Sequence, residues 1–248
     1  MSPTGVPFAR LTRAELRKQV DTRAGLWLIL TIVLITALVM VPVVWLSDPA
    51  DLTFWTLAQA AVLPQLVLLP VVGIMAATSE WSQRTGMVTF ALEPRRGRVI
   101  LAKLLSAIGL GLLAVVATLV CAAIANLAGM VLRDGAGTWG VDWSLLGAST
   151  ALQVVVVAQG VAFGLLLLNT PAAIVAFYVL PTAWTTACLL VAPLRGPARW
   201  LDTNVAMLPF LEGGAGAGDL ARAGTATAVW VVLPLLLGTW RVLRHDVK

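Results

Sequence analysis

The sequence predicts an all-α, polytopic membrane protein with six transmembrane helices. Three observations predict it. Of 248 residues, 59% are hydrophobic and only 12% are charged, whereas a soluble domain carries about 25% charged residues. The apolar residues fall into six runs, each near the roughly 20 residues needed to cross a hydrocarbon core of about 30 Å. A six-span reading also sorts the basic residues to one face.

The six runs are 26–46, 54–78, 104–132, 145–168, 172–192 and 224–243. Backbone polar groups cannot stay unpaired in lipid, so each run is expected to be a helix. Pro42, Pro64, Pro70, Pro181 and Pro234 lie inside runs and predict kinks rather than breaks. The third run is long and should tilt or project. The first exceeds a signal-peptide h-region and no A-x-A-like site follows it, so it is read as a retained span. Residues 1–25 form a basic leader, and 26–248 form one transmembrane domain.

With six spans, the N-terminal segment (Arg10, Arg13, Arg17, Lys18, Arg23), the loop after span two (Arg84, Arg95, Arg96, Arg98, Lys103) and the tail (Arg241, Arg244, Lys248) share one side. They hold thirteen of the seventeen basic residues. This asymmetry places both termini in the cytoplasm of a cell that holds the chain in its plasma membrane. It explains the net charge of +5 without a nucleic-acid partner.

Thr12-Arg13-Ala14-Glu15 reads as a capping box, so a leader helix is expected from about Arg13. Phe8, Leu11, Leu16 and Val20 give it an apolar stripe suited to an anionic inner leaflet. The cytoplasmic loop 79–99 mixes Glu80, Arg84 and Glu93 with Trp81, Met87, Val88, Phe90 and Leu92. A short amphipathic helix there would end before Pro94. It could lie on lipid or dock into a partner's groove. Arg95, Arg96, Arg98 and Lys103 are expected to anchor the next span by snorkelling to phosphates, as are the leader's Arg10, Arg13, Arg17, Lys18 and Arg23. The external segment 193–223 carries Trp200, Met207, Leu208 and Phe210 ahead of a glycine-rich run. It reads as short helices dipping into the outer leaflet.

No ionisable side chain falls near the centre of any run. Such residues mark ion and proton paths, so a gradient-driven carrier is disfavoured. No catalytic constellation, metal-ligand set or Walker A motif occurs. The chain therefore binds no cofactor of its own, and energy for work must come from another chain. Gln59, Gln65, Asn126, Gln153 and Gln159 are polar residues within spans. Interhelical hydrogen bonding is their ordinary role, and a substrate path is the alternative. Gly160-Val161-Ala162-Phe163-Gly164 permits close helix packing.

Thr78-Ser79-Glu80-Trp81-Ser82-Gln83-Arg84-Thr85-Gly86, then Thr89-Phe90, Leu92, Pro94-Arg95-Arg96, Arg98-Val99 and Ala102-Lys103, resembles a known pattern. It is similar to the membrane-spanning (permease) subunit of ABC-2 type ATP-binding cassette exporters, of the compact six-span kind from high-GC Gram-positive bacteria. Leu167-Leu168-Asn169-Thr170-Pro171 is similar to that family's short turn between spans four and five, with Leu168 where the family often has Arg.

The resemblance implies an elbow helix in the leader and a coupling helix over residues 79–92, with Glu80, Trp81, Arg84, Met87, Phe90 and Leu92 toward a separate nucleotide-binding subunit. It implies a second permease copy, ATP and magnesium held by the ATPase, and external re-entrant helices with Trp200, Met207, Leu208 and Phe210 at a gate. The expected function is ATP-driven export of a hydrophobic or amphiphilic compound (a drug, peptide or lipid). The alternative is a non-transporting anchor, immunity or regulatory subunit.

Overall fold

The computed structural model describes residues 6–83 and 85–244. Arg84 and Lys248 therefore lie outside the described residues. Among those described, the chain is all-helical and no strand occurs. Six helices are long and apolar enough to cross a membrane. The chain is thus a multi-pass helical membrane protein.

Helix α1 (Phe8–Asp21) begins five residues before the expected start. Pro7 precedes it, and its carbonyl accepts from the Arg10 and Leu11 amides. The capping-box expectation fails because Thr12 donates back to the Phe8 carbonyl, inside the helix. Thr22 then caps α2 (Arg23–Leu46) by accepting from the Gly25 amide at 3.1 Å. Gly25 sits in the elbow between α1 and α2, where a Cβ would lie 1.7 Å from the Gln19 carbonyl oxygen.

The expected second span is two helices, α3 (Phe54–Ala60) and α4 (Val62–Ser82). Pro64 has no N–H for the Ala60 carbonyl, so the ladder parts at Ala61. Here the proline breaks the span, contrary to expectation. Pro70 stays inside α4. A seven-residue helix, α5 (Gly86–Leu92), follows. Helix α6 (Arg96–Arg133) has 38 residues, about 57 Å at 1.5 Å per residue, so it outreaches a bilayer core. Its start just past Pro94 adds two turns to the expected run.

Asp142 caps α7 (Trp143–Leu167) through the Ser144 and Leu145 amides. Only Leu168 and Asn169 separate α7 from α8 (Thr170–Leu190), which Asn169 caps. Two short helices, α9 (Arg195–Leu201) and α10 (Thr203–Leu211), precede the last span. That span joins α11 (Ala217–Thr227) to α12 (Leu233–Arg244) through a π-helical turn at Ala228–Val232. The turn spreads the ladder ahead of Pro234, which deprives the Trp230 carbonyl of its donor.

The centre of the bundle is the α4–α7 crossing. A Cβ on Gly73 would lie 2.3 Å from the Val157 carbonyl oxygen, and one on Gly160 2.2 Å from that of Pro70. Gly164 faces Ala77 and Ile74 in the same way. The glycine pair of α7 therefore works as the sequence suggests, inside a single chain. Ile32, Leu69, Val72, Ala77, Val157 and Val161 fill the core beside it. Aliphatic side chains such as Leu34, Leu38, Leu113 and Ile124 stand exposed around the outside, as an apolar solvent permits.

Arg96 donates to the Val242 carbonyl at 2.7 Å, so the end of α12 lies against the start of α6. Helix α1 packs there too, through Leu11 on Val99 and Ala102. Both ends of the described chain thus meet at one end of the bundle. At the opposite end, backbone bonds join the segments after α2 and α6: Ala136 to Pro49, Gly137 to Leu52 and Phe54 to Thr138.

Candidate functional site

The most unusual chemistry sits where α1, α4, α5 and α6 converge. Leu11, Glu15 and Gln19 are four residues apart, so they form one face of α1. Opposite them, α6 presents Val99, Lys103 and Ser106. The Lys103 ammonium is 2.8 Å from Glu15 Oε2, 2.6 Å from Glu80 Oε2 and 3.0 Å from the Ala76 carbonyl oxygen. The ammonium donates to Glu15 and to the Ala76 carbonyl and holds Glu80 as an ion pair. Lys18 completes the group, 2.6 Å from Glu15 Oε1 and 3.4 Å from Glu80 Oε1. Gln19 donates to Ser106 at 2.6 Å, one turn further on.

Glu15, Glu80 and Lys103 are each only 2% exposed. Two carboxylates are balanced by the buried Lys103 ammonium and by Lys18 at the exposed edge, so the network as a whole is neutral. A buried ion pair adds little stability over an apolar replacement, yet removing one partner strands a charge at high cost. The network therefore fixes the register of α1 on α6 more than it strengthens the fold.

Burial alone would push the Glu15 carboxyl up, but the ammonium groups of Lys103 and Lys18 hold it below the usual carboxylate range. Burial likewise opposes charge on Lys18, but Glu15 and Glu80 raise it above the usual lysine value. A depressed carboxyl stabilises above its unfolded pKa, and that contribution is lost as pH falls through the folded value. A raised lysine does so below its unfolded pKa, and that contribution is lost as pH rises through the folded value. Docking of α1 is therefore expected to be flat through neutral pH and to weaken only below the usual carboxylate range or above the usual lysine range. Protease cleavage at Arg13 and Arg17, followed against pH, measures it. Release of α1 between pH 6 and 8 would contradict the assignment.

The six residues expected to face a partner divide. Glu80 points inward to Lys103. Trp81 and Phe90 pack edge to face at 6.4 Å and against the core, with the Arg96 guanidinium 5.0 Å over the Phe90 ring. Met87 and Leu92 point outward, 62% and 73% exposed, together with Val88 at 64%. Arg84 is outside the described residues. The α5 helix thus has an inner face tied to the bundle and an outer apolar face that no described residue covers. Thr89 extends the tie, 3.5 Å from the Lys18 ammonium.

The expected anchoring residues divide too. Arg10, Arg13, Arg17, Arg23 and Arg95 are exposed. Arg98 pairs with Glu93 at 2.8 Å and donates to the Val6 carbonyl. Lys103 does not snorkel to a headgroup, because two carboxylates and a carbonyl already surround it inside the protein.

At the opposite end, Asp202 is buried. Its Oδ1 caps α10 at the Asn204 and Val205 amides, and its Oδ2 accepts from Thr185 at 2.6 Å. Trp230 donates to the Leu201 carbonyl at 2.6 Å. These bonds fasten α9 and α10 to α8 and the last span. Of the expected gate residues, Trp200 and Leu208 are exposed, while Met207 and Phe210 are half-buried. The Arg222 guanidinium lies 6.0 Å over the Trp200 ring.

The five polar residues within spans take different places. Asn126 reaches toward the Gly137 carbonyl at 3.4 Å and so secures the loop after α6. Gln159 is buried in α7. Gln59, Gln65 and Gln153 line one cavity of about 200 Å³ between α3, α4, α6, α7 and α10. A second cavity, about 290 Å³, adjoins the ion-pair network, with Gln19, Met75 and Leu110 in its wall.

Sequence reasoning missed the partnership of Glu15 with Lys103. The four-residue spacing from Leu11 through Glu15 to Gln19 was the available signal. Compared with known proteins, the chain matches no family model, and no characterised relative matches it.

Proposed function

We propose that this chain is the membrane-spanning subunit of an ATP-binding cassette exporter of the ABC-2 type, driven by ATP hydrolysed on a separate subunit. The observation that carries the proposal is α5. A seven-residue helix held on its inner side by Phe90, Thr89 and the preceding Trp81 offers Met87, Val88 and Leu92 outward. An apolar stripe on a short braced helix suits insertion into a partner's groove. Bracing matters because a lever must move as one body.

In this reading the end where the described chain begins and ends faces the cytoplasm, in line with its basic residues, and the exposed arginines of α1 meet anionic lipid. Helix α1 is the elbow helix, α5 the coupling helix, and α9 and α10 the external re-entrant pair. Helix α8 buries only Ala173, Phe177 and Cys188, which leaves most of its surface for a second copy. The apolar interior suits a hydrophobic or amphiphilic cargo, since a polar one would lose its water uncompensated.

The test is co-purification with an ATPase encoded beside this chain. Serine at Met87, Val88 and Leu92 together should weaken the complex by at least about tenfold, an effect of about 1.4 kcal/mol, and should reduce membrane-subunit-dependent ATP turnover. Unchanged assembly and turnover would overturn the coupling role.

A further inference from the structure

The cavity between α3, α4, α6, α7 and α10 has an unusual lining. Among the described residues no ionisable side chain lines it, and its walls are aliphatic except for Trp55, Gln59, Gln65, Thr118, Ser149 and Gln153. Gln65 and Gln153 are 1% and 4% exposed, and the side-chain carbonyl oxygen of each has no hydrogen-bond partner.

For Gln65 the amide orientation is dictated by its neighbours. Its Nε2 donates to the Ala114 carbonyl and to Thr118 Oγ1. The Thr118 hydroxyl proton is already given to that same carbonyl. Both partners are therefore acceptors, and a flipped amide would set oxygen against oxygen. The free atom must be the Gln65 oxygen. A buried, unsatisfied acceptor is costly, and Gln153, whose amide makes no hydrogen bond in the fold, can turn its oxygen toward the same donor.

We propose that this cavity is a binding site for an uncharged amphiphile that offers an O–H or N–H donor to Gln65 and Gln153 and lays its apolar part along Leu66, Leu119 and Leu211. The absence of a counter-charge excludes carboxylates, phosphates and primary ammonium groups, whose desolvation nothing there offsets. An ether or ester of the same shape offers only acceptors and leaves both oxygens unsatisfied. The site does not depend on the transport reading, because it concerns equilibrium binding to this chain alone.

The test uses the purified full chain in nanodiscs and the quenching of Trp55, taken as the part of tryptophan quenching that Trp55→Phe abolishes. The probes are 11-bromoundecanol and its methyl ether, which share the quenching bromine and differ in one donor. Saturable quenching by the alcohol, at least about tenfold tighter than by the ether, is expected from one buried hydrogen bond of about 1.4 kcal/mol.

Gln153→Leu, which breaks no hydrogen bond of the fold, should lower that preference, because the single hydroxyl proton of the probe is shared between the two oxygens. Gln65→Leu should do the same, with Gln153→Leu as the control for its lost contacts to α6. Equal binding of alcohol and ether, non-saturable quenching, or an unaltered preference in Gln153→Leu would overturn the proposal. Bound water alone filling the cavity would give the first of these results. A second arm separates the sources of the ligand. Displacement of the alcohol by diacylglycerol in the nanodisc assigns the site to a membrane lipid, and displacement only by short-chain alcohols and amides assigns it to a smaller compound.

Discussion

Lys103→Met is expected to destabilise the protein by about 3–5 kcal/mol, the cost of stranding buried charge, and to free α1. In its absence the Glu15 and Glu80 carboxylates face one another with only Lys18, whose side chain is 44% exposed, to balance them. The Ala76 carbonyl loses a donor as well. Thermal unfolding in detergent, followed by far-ultraviolet circular dichroism, gives the loss of stability. Tryptic cleavage at Arg13 and Arg17 gives the release of α1.

The triple replacement Glu15→Leu, Glu80→Leu and Lys103→Met is the informative companion. It removes the charges as a set, so most of the lost stability should return. If Lys103→Met alone stays within about 0.5 kcal/mol of the parent, the range of an ordinary surface change, the three groups do not form a buried network. A full recovery of stability in the triple variant with α1 still open to trypsin would separate the network's part in positioning from its part in folding.

Gly160→Leu is expected to abolish the folded state. Even the first atom of a side chain at this position meets the Pro70 carbonyl oxygen at 2.2 Å, and the neighbouring atoms are backbone that cannot rotate aside. Overpacking a core typically costs about 1–3 kcal/mol, and here the crossing helices themselves must part. Gly160→Ala should already lower thermal stability measurably, and Gly73→Ala should match it from the other side, 2.3 Å from the Val157 carbonyl oxygen.

Gly109→Ala supplies the contrast, since a Cβ there meets nothing within 4 Å and alanine is the better helix former by about 1 kcal/mol. It should be neutral or stabilising. Monodisperse elution and melting temperature across these four variants check the set. Equal tolerance at Gly160 and Gly109 would mean that α4 and α7 do not cross at the glycines.

Much of the architecture was legible because lipid imposes simple rules. Six apolar runs had to be helices, and six helices long and apolar enough to cross a membrane are present. The resulting spans agree with the helices to within a few residues where caps set the ends, as at Asn169. They fail where a proline's effect depends on its neighbours. Pro70 is carried inside α4, while Pro64 opens the ladder at Ala61 and Pro234 is preceded by a π turn. Of the residues expected to face a partner, Met87 and Leu92 point outward, whereas Glu80, Trp81 and Phe90 turn inward.

The sequence by itself determined the solvent, the number of crossings and the short apolar helix after the second span, since these depend on composition and local spacing. Only the tertiary structure decided what the charges do. Glu80 and Lys103 read as surface groups for a partner and for lipid, because charges are ordinarily exposed. They are buried because α1 folds back across the end of the bundle and brings Glu15 and Lys18, separated by more than sixty residues from Glu80, into the same few ångströms. The same holds for the glutamines. Their spacing cannot distinguish Asn126, which secures a loop, from Gln65 and Gln153, which share a cavity, because that depends on which helices cross and where.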